Sequence, residues 1–471
     1  MWAWARRRQT NKIGAGENRQ QQEGGRQMSR ISIGLIGLGL LTGLAGCAER
    51  EVILEGDRFG TRVPLAAAFP AEDGAERPAD ADAPRPITLG APQNLDAWPM
   101  RAANAQNRIP HVALAGTPTE IWANDIGQGN SRRNRITADP VVADGRIFTL
   151  DAEAGLMATG LNGETLWAVD LTPGFERGGG ISGGGLAVAG GALYASTGYG
   201  ELVSLDPATG NINWRQRLAA GITAPTVTGN SIYITSRDSQ AWSLNPEDGR
   251  IRWQLPAGAA DAVLSGGSAP VVTDRLVIFP FGSGELVATL RQSGVRVWGT
   301  AVAGVRRGVA YNNLNDITGD PVIVGSVLYA GNQSGRVVAM EAASGERIWT
   351  AQEGAYSPIL PAGDSVFFVS DRNELIRLDA ATGARIWGTE LPLYVRERER
   401  RRQAVFTHYG PILAGGRLVV ASGDGLIRFF DPESGAETGQ VELRGGAATH
   451  PVVVDGTLYV VSGDGRLRAF R

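Results

Sequence analysis

Pro321-Val322-Ile323-Val324-Gly325-Ser326-Val327-Leu328-Tyr329 is followed closely by Gly335-Arg336-Val337-Val338-Ala339-Met340, and then by Ser344-Gly345-Glu346-Arg347-Ile348-Trp349. Short apolar runs rich in Val, Ile and Tyr and bounded by glycine-bearing turns read as β-strands; they are too short for helices. The same cassette recurs along the chain. It opens at Pro140, Leu186, Pro225, Pro270, Pro321, Pro358, Pro411 and Pro451, at intervals of 37 to 53 residues. It closes in Gly-x-x-x-Trp at Gly163/Trp167, Gly210/Trp214, Gly249/Trp253, Gly294/Trp298, Gly345/Trp349 and Gly383/Trp387. The seventh copy keeps Gly435 but has Gly439 in place of the tryptophan, and the eighth reaches Arg471 before any closing segment. An orphan closing segment, Gly116-Thr117-Pro118-Thr119-Glu120-Ile121-Trp122, stands ahead of the first copy.

A period near 45 residues with four short strands per unit predicts an all-β, eight-bladed β-propeller. Strand A follows the opening residue, strand B holds the Leu-Tyr pair, strand C follows the glycine and strand D carries the tryptophan. The orphan strand completes the unfinished copy: Thr117–Asn124 is expected to pair with Leu467–Phe470 and close the ring, which removes exposed sheet edges. Trp122, Trp167, Trp214, Trp253, Trp298, Trp349 and Trp387 are expected to be structural, each wedged against the next blade.

The 471 residues carry 65 glycines and a net charge of −3, so no basic footprint points to nucleic acid. Lys12 is the sole lysine, which removes Schiff-base and phosphate-loop chemistry from the rest of the chain. Cys47 is the sole cysteine and excludes an intrachain disulfide. A positive start at Met28-Ser29-Arg30, an apolar run over Ile31–Leu41 and Leu44-Ala45-Gly46-Cys47 read as a lipoprotein signal with Cys47 lipidated. Residues 1–46 are therefore assigned to the signal peptide, with translation starting at Met28. Residues 47–107, rich in Ala, Pro, Asp and Glu, are assigned to the lipidated N-terminus and a flexible linker. Residues 108–471 are assigned to the propeller. Ala48 behind the cysteine favours the periplasmic face of the outer membrane.

The D-to-A connections emerge on one face and differ in length: 9 steps from Trp349 to Pro358, but 17 from Trp253 to Pro270, 23 from Trp298 to Pro321 and 24 from Trp387 to Pro411. Long loops on a rigid frame are where function sits. The last carries Arg396-Glu397-Arg398-Glu399-Arg400-Arg401-Arg402-Gln403, readable as a solvated face or as a contact to an acidic partner or lipid head groups.

The cassette resembles the repeat of pyrroloquinoline-quinone enzymes, eight-bladed propellers that set an adjacent Cys-Cys pair against the quinone and hold Ca²⁺ with Glu, Asn and Asp. No such pair can form here. Asp424 and Asp464 lie in Gly-Asp-Gly turns that hairpin geometry explains without a metal. His408 and His450 precede Pro411 and Pro451 and are expected near each other at the channel, but with His111 remote they make a weak metal signal. The expectation is no catalytic residue, no metal and no cofactor. A quinone- or metal-dependent periplasmic dehydrogenase-like propeller and a polysaccharide-binding propeller are the alternatives.

The lipobox, acidic linker and quinone-type repeat without quinone ligands together resemble the BamB family, lipoprotein subunits of the machine that inserts β-barrel proteins into the outer membrane. The resemblance spans about residues 108–471 and the signal. It implies a non-enzymatic scaffold that binds the periplasmic POTRA domains of BamA and, by β-augmentation, offers a strand edge to unfolded outer membrane proteins. Leu264-Ser265-Gly266-Gly267-Ser268 is similar to a BamB loop whose leucines and arginine contact BamA; Leu264 matches a leucine, Ala262 stands at the other leucine and Ser265 at the arginine. Leu314-Asn315-Asp316-Ile317 resembles a second contact loop with two aspartates; Asp316 matches the first, and Thr318 replaces the second. Arg306 and Arg307 are nearby candidates to supply the missing positive charge.

Overall fold

The computed structural model describes residues 82–176, 181–218, 220–260, 266–302, 304 and 315–471. Cys47, Leu264, Ser265, Arg306 and Arg307 lie outside them. Eight four-stranded antiparallel sheets follow one another around the ring. One 3-10 turn, Glu399–Arg401, lies in the charged loop. The expected architecture is thus observed, including its closure. In the eighth blade, Val452–Val454, Thr457–Ser462 and Arg466–Phe470 come from the C-terminus, and Glu120–Asp125 supplies the fourth strand. Trp122 faces Ala469, Asn124 faces Leu467 and Asp125 faces Arg466.

Burial explains the sequence pattern. Strand B of the eighth blade, Thr457–Ser462, is buried at every position because each inner strand is covered on both faces by neighbouring blades. Strand D, as in Ile251–Pro256, alternates exposed and half-buried residues because one of its faces looks outward.

The Gly-x-x-x-Trp signature is a lock between blades. The indole Nε1 of Trp122, Trp167, Trp214, Trp253, Trp298, Trp349 and Trp387 donates to the carbonyls of Leu161, Pro207, Pro246, Arg291, Ala342, Ala380 and Pro432, each in the next blade's C–D turn, at 2.9–3.3 Å. The turn glycine lies under the ring. At Gly383 (φ +73°) a Cβ would stand 2.5 Å from Trp349 Cε3, and at Gly249 (φ +71°) 2.6 Å from Trp214 Cε3. Positive φ and zero clearance both require glycine. The exception follows from the closure. Blade 8 ends its strand C at Phe470 and takes strand D from the N-terminus, so it has no C–D turn to receive a tryptophan from blade 7. Gly439 stands where that tryptophan would be, with open space beside it.

The linker assignment needs correction. From residue 82 the chain is not a solvated tether but a strap laid across the channel mouth at the A–B turn end. Asp455 N donates to Leu95 O, Trp98 exchanges both backbone hydrogen bonds with Val142, Val188 N donates to Pro99 O, Val272 N to Ala105 O and Ile323 N to Gln106 O, while Val112 N donates to Leu413 O. Strand A of blades 1, 2, 4, 5 and 7, and the A–B turn of blade 8, thereby gain a partner. Trp98 and Val112 are fully buried in the resulting core. His111 bridges Gly90 O at 2.6 Å and Gly416 N at 2.8 Å. Blade 6 holds the start of the strap through fully buried Arg377, which donates to the carbonyls of Arg85, Pro432 and Glu433. The composition is that of a linker because the segment has no core of its own; the ring supplies one.

Candidate functional site

The residues just before the blade openings ring the central channel, and two of them are aspartates: Asp139 before Pro140 and Asp320 before Pro321. Blades 1 and 5 are opposite one another in an eight-membered ring, so the two carboxylates face each other across the axis. The strap inserts Arg101 between them. Its Nε lies 2.8 Å from Asp320 Oδ2 and 3.5 Å from Asp139 Oδ2, and its Nη1 donates to Gly267 O at 2.9 Å. The Asp320 contact is ionic rather than a directed hydrogen bond, because the donor direction misses the oxygen. His450 completes the group, with Nδ1 at 3.0 Å from both Asp139 oxygens and its backbone N at 2.8 Å from Oδ1. Burial pushes the Asp139 carboxyl up, but His450 and Arg101 outweigh it and hold it below the ordinary carboxylate value. Burial likewise depresses Arg101, and the two carboxylates more than offset that.

On the D–A side of this group the channel widens to a cavity of 150 Å³ walled by Tyr409, Tyr356, His450, Asp316 and Thr318, among others. Burial pushes the Tyr409 phenol up to about 12, so it faces the cavity as a neutral donor. The expected meeting of His408 and His450 does not occur as a shared site. His408 is occupied by Ser422 Oγ and Pro392 O, both at 2.8 Å, and burial lowers its pKa. Asp424 and Asp464 are engaged by Arg428 and Arg468 four residues on. Among the described residues no group of three or more His, Cys, Asp or Glu is placed to hold a metal ion.

Two loops expected to form one patch are joined at their roots. Ser268 Oγ donates to Ile317 O at 2.6 Å, Ala269 N donates to Asp320 Oδ1 at 3.1 Å, and Thr318 Oγ1 donates onward to Ala355 O at 2.5 Å. Asp316 departs from its expected role as an outward-facing contact. It is 5% exposed and opposes, through its charge, the burial-driven lowering of the Arg237 pKa. It lies in the wall of the cavity. Arg101 went unread because it sits in the segment taken for a linker; the Asp-Pro pairs at two blade openings, and a tryptophan three residues before the arginine, were the available signals.

The fold and this geometry frame the comparison with known proteins. The sequence matches the family described as outer membrane protein assembly factor BamB over residues 158–389 and 398–471. The chain belongs to the BamB family. Relatives in that family include the outer membrane protein assembly factor BamB of Salmonella typhimurium, 30% identical over 349 residues, covering 73% of this chain and 86% of the relative. The Escherichia coli BamB is 30% identical over 354 residues, with the same coverage. Among solved structures, BamB from Moraxella catarrhalis superposes with a TM-score of 0.61 at 18% identity, covering 75% of this chain and all of that one. A europium-containing methanol dehydrogenase superposes equally well, at 0.61 and 12% identity, covering 80% of this chain and 98% of that one. These structural likenesses establish a shared ring.

The quinone-dependent alternative is not favoured by these residues. The two axial carboxylates already share Arg101 as a counter-ion, and Asp139 is held by His450 as well. The cavity above them is smaller than the ~300–1,000 Å³ of ordinary small-molecule pockets. The sole cysteine, at position 47, leaves the BamB ring without an adjacent pair to lay against a quinone. What the geometry supports in this BamB member is a channel crossed by its own strap.

Proposed function

We propose that the ring is a non-enzymatic scaffold of the β-barrel assembly machinery, held at the periplasmic face of the outer membrane by lipidated Cys47, and that its D–A face binds the POTRA domains of BamA. The observation that carries this reading is the Ser268–Ile317 hydrogen bond at 2.6 Å. It joins the described roots of the connections before blades 4 and 5. In this reading Leu264 supplies apolar burial, Ser265 a polar rim contact, and Arg306 and Arg307 a positive flank, while Asp316 positions the loop root from beneath.

Leu264→Asp combined with Arg307→Asp is the test. Burial of a leucine is worth roughly 1.5–3 kcal/mol, and a buried unpaired carboxylate adds to the loss. Affinity of the purified chain for the BamA periplasmic domains is expected to fall by a factor of about 10 or more. Circular dichroism and melting temperature should stay at wild-type values, because neither position is in a blade strand. Undiminished binding would remove the patch from consideration. The anchor has its own test: Cys47→Ser should appear in the soluble periplasmic fraction without acylation, and an acylated mutant in the outer membrane would contradict it.

A second reading concerns unfolded outer membrane proteins. Strand D of blade 4, Arg296–Ala301, presents Val297 at 48% exposure with Val295 at 58% just ahead of it, and Ile348 in blade 5 is 50% exposed. Such outer edges suit strand addition by an extended chain.

A further inference from the structure

The repeat provides its own control: at any structural position seven sibling blades show what the fold alone requires. At three positions around the boundary of blades 3 and 4 the chain departs from its siblings in the same direction. The second residue of the A–B turn is Gly145, Gly191, Asn230, Ser326, Asp364, Gly416 or Gly456 elsewhere, but Arg275 in blade 4. The residue of the C–D turn whose carbonyl receives the indole is Leu161, Pro207, Pro246, Ala342, Ala380 or Pro432 elsewhere, but Arg291 in blade 4. The residue before the strand-D tryptophan is Ile121, Leu166, Val297, Ile348 or Ile386 in five siblings and Asn213 in a sixth, but Arg252 in blade 3. The acid that opens the C–D turn in other blades, such as Asp206, Asp379 or Asp431, is Leu290 here, which removes a negative charge from the same place.

These three arginines line one groove of 660 Å³, together with Ser231, Tyr233 and Asp274. None has a carboxylate partner among the described residues. Arg252 donates to Ser231 Oγ at 3.0 Å and Asn245 Oδ1 at 3.1 Å. Arg291 spreads its donors over neutral acceptors, Tyr233 Oη at 3.4 Å and the carbonyls of Thr273, Asp274 and Thr228 at 3.2–3.5 Å. Arg275 is exposed. Arg85 and Arg385 at blade 6 and Arg101 in the channel are all ion-paired; Arg417 and Arg347 bind carbonyls alone, but each stands apart, whereas here three arginines share one groove. Asp274 is the only acid on its walls among the described residues.

We propose that the groove between blades 3 and 4, on the A–B turn face, is a binding site for a phosphate monoester. Three guanidiniums line the groove, and the acceptors they hold are all neutral, so phosphate oxygens can displace them, because each charge-assisted bond is stronger than a neutral one. The volume accommodates a sugar- or glycerol-sized group beside the phosphate. The face is the one crossed by the strap, opposite the D–A loops, so occupancy here does not compete with the loop patch and the inference stands whether or not that patch binds BamA. The phosphate is either soluble or carried on a lipid head group.

The experiment titrates the purified full chain with glucose 6-phosphate by isothermal calorimetry at fixed ionic strength, with chloride as the reference anion. In parallel, the chain is co-sedimented with phosphatidylcholine vesicles containing phosphatidic acid, and with vesicles carrying equal charge as phosphatidylglycerol, a phosphodiester. Arg252→Ile with Arg275→Gly installs sibling residues, so the ring should melt as wild type. Saturable binding in either arm that this double variant weakens about tenfold or more supports the site. Binding of glucose 6-phosphate alone assigns a soluble ligand; preference for phosphatidic acid over phosphatidylglycerol assigns a lipid-borne one. Absence of saturable binding in both arms, equal binding of both vesicle types without any binding of glucose 6-phosphate, or binding indifferent to the double variant, overturns it.

Discussion

Removal of Thr117–Asn124 is expected to convert a monomeric ring into an aggregating open sheet. The segment is the outer strand of blade 8, and its loss uncovers the whole edge of Arg466–Phe470. Thr119 and Arg471 exchange two backbone hydrogen bonds at 2.9 Å, and Arg468 places Nη1 3.3 Å from both Glu120 oxygens. Trp122 is lost as well, and with it the lock onto Leu161 of blade 1. A tryptophan truncated in a core costs ~3–5 kcal/mol, and domains are stable by only ~5–15 kcal/mol in total. An unpaired edge beside fully buried Leu467, Ala469 and Phe470 is then a template for intermolecular pairing. Size-exclusion chromatography should show soluble aggregate and a melting transition lowered or absent. Trp122→Ala keeps the edge paired and should remain monomeric with a loss of roughly 3 kcal/mol, the low end for a half-buried tryptophan. A deletion variant that stays monomeric at the wild-type melting temperature would show that the ring does not depend on this closure.

The closure was legible because it is written twice in the sequence, once as the unfinished copy ending at Arg471 and once as the orphan Trp122. Repetition also made the blade count and the tryptophan positions legible, since a pattern printed seven times outweighs local ambiguity. The absence of a tryptophan at Gly439 was visible but unexplained until the structure showed that blade 8 has no C–D turn to receive one. The strap was illegible for the converse reason. Residues 82–116 occur once, form no periodic pattern, and take their structure from the inner edges of strands scattered over more than 300 residues of sequence. Composition reports only whether a segment has a core of its own, and this one borrows the ring's. Asp316 was misjudged by the same kind of reasoning: a loop position in the sequence implied exposure, whereas contact between the roots of two neighbouring loops buries it. The arginine groove was present in the sequence as three departures from the repeat, but only the turn geometry brings residues 252, 275 and 291 to one place.

Arg101→Met is expected to be the most damaging single substitution in the strap. It removes the only guanidinium between Asp139 and Asp320, 4% and 1% exposed at their side chains, while keeping a side chain of similar length. Breaking a buried ion pair from one side costs ~3–5 kcal/mol, because the remaining carboxylates lose their counter-ion out of reach of water, Asp139 keeping His450 and Asp320 the Ala269 N–H. The expected result is a melting transition lowered by that amount together with faster proteolysis within residues 82–116, since Gly267 O also loses its donor from the strap. The pH dependence has a definite sign. Asp139 is held below its ordinary value in the folded wild type, so its contribution is present above about pH 4 and is lost as the pH falls through the lowered folded value. The stability gap between wild type and Arg101→Met should therefore be full at pH 7 and narrow in acid. Charge and packing are separated by the triple variant Arg101→Met, Asp139→Asn, Asp320→Asn. If the penalty is electrostatic, neutral amides at both positions recover most of it, because a channel without ions needs no counter-ion. If the triple variant is as unstable as the single one, or if the gap does not change between pH 7 and a pH well below the ordinary carboxylate range, the strap is held by Trp98 and its backbone hydrogen bonds instead, and Arg101 is a passenger on them.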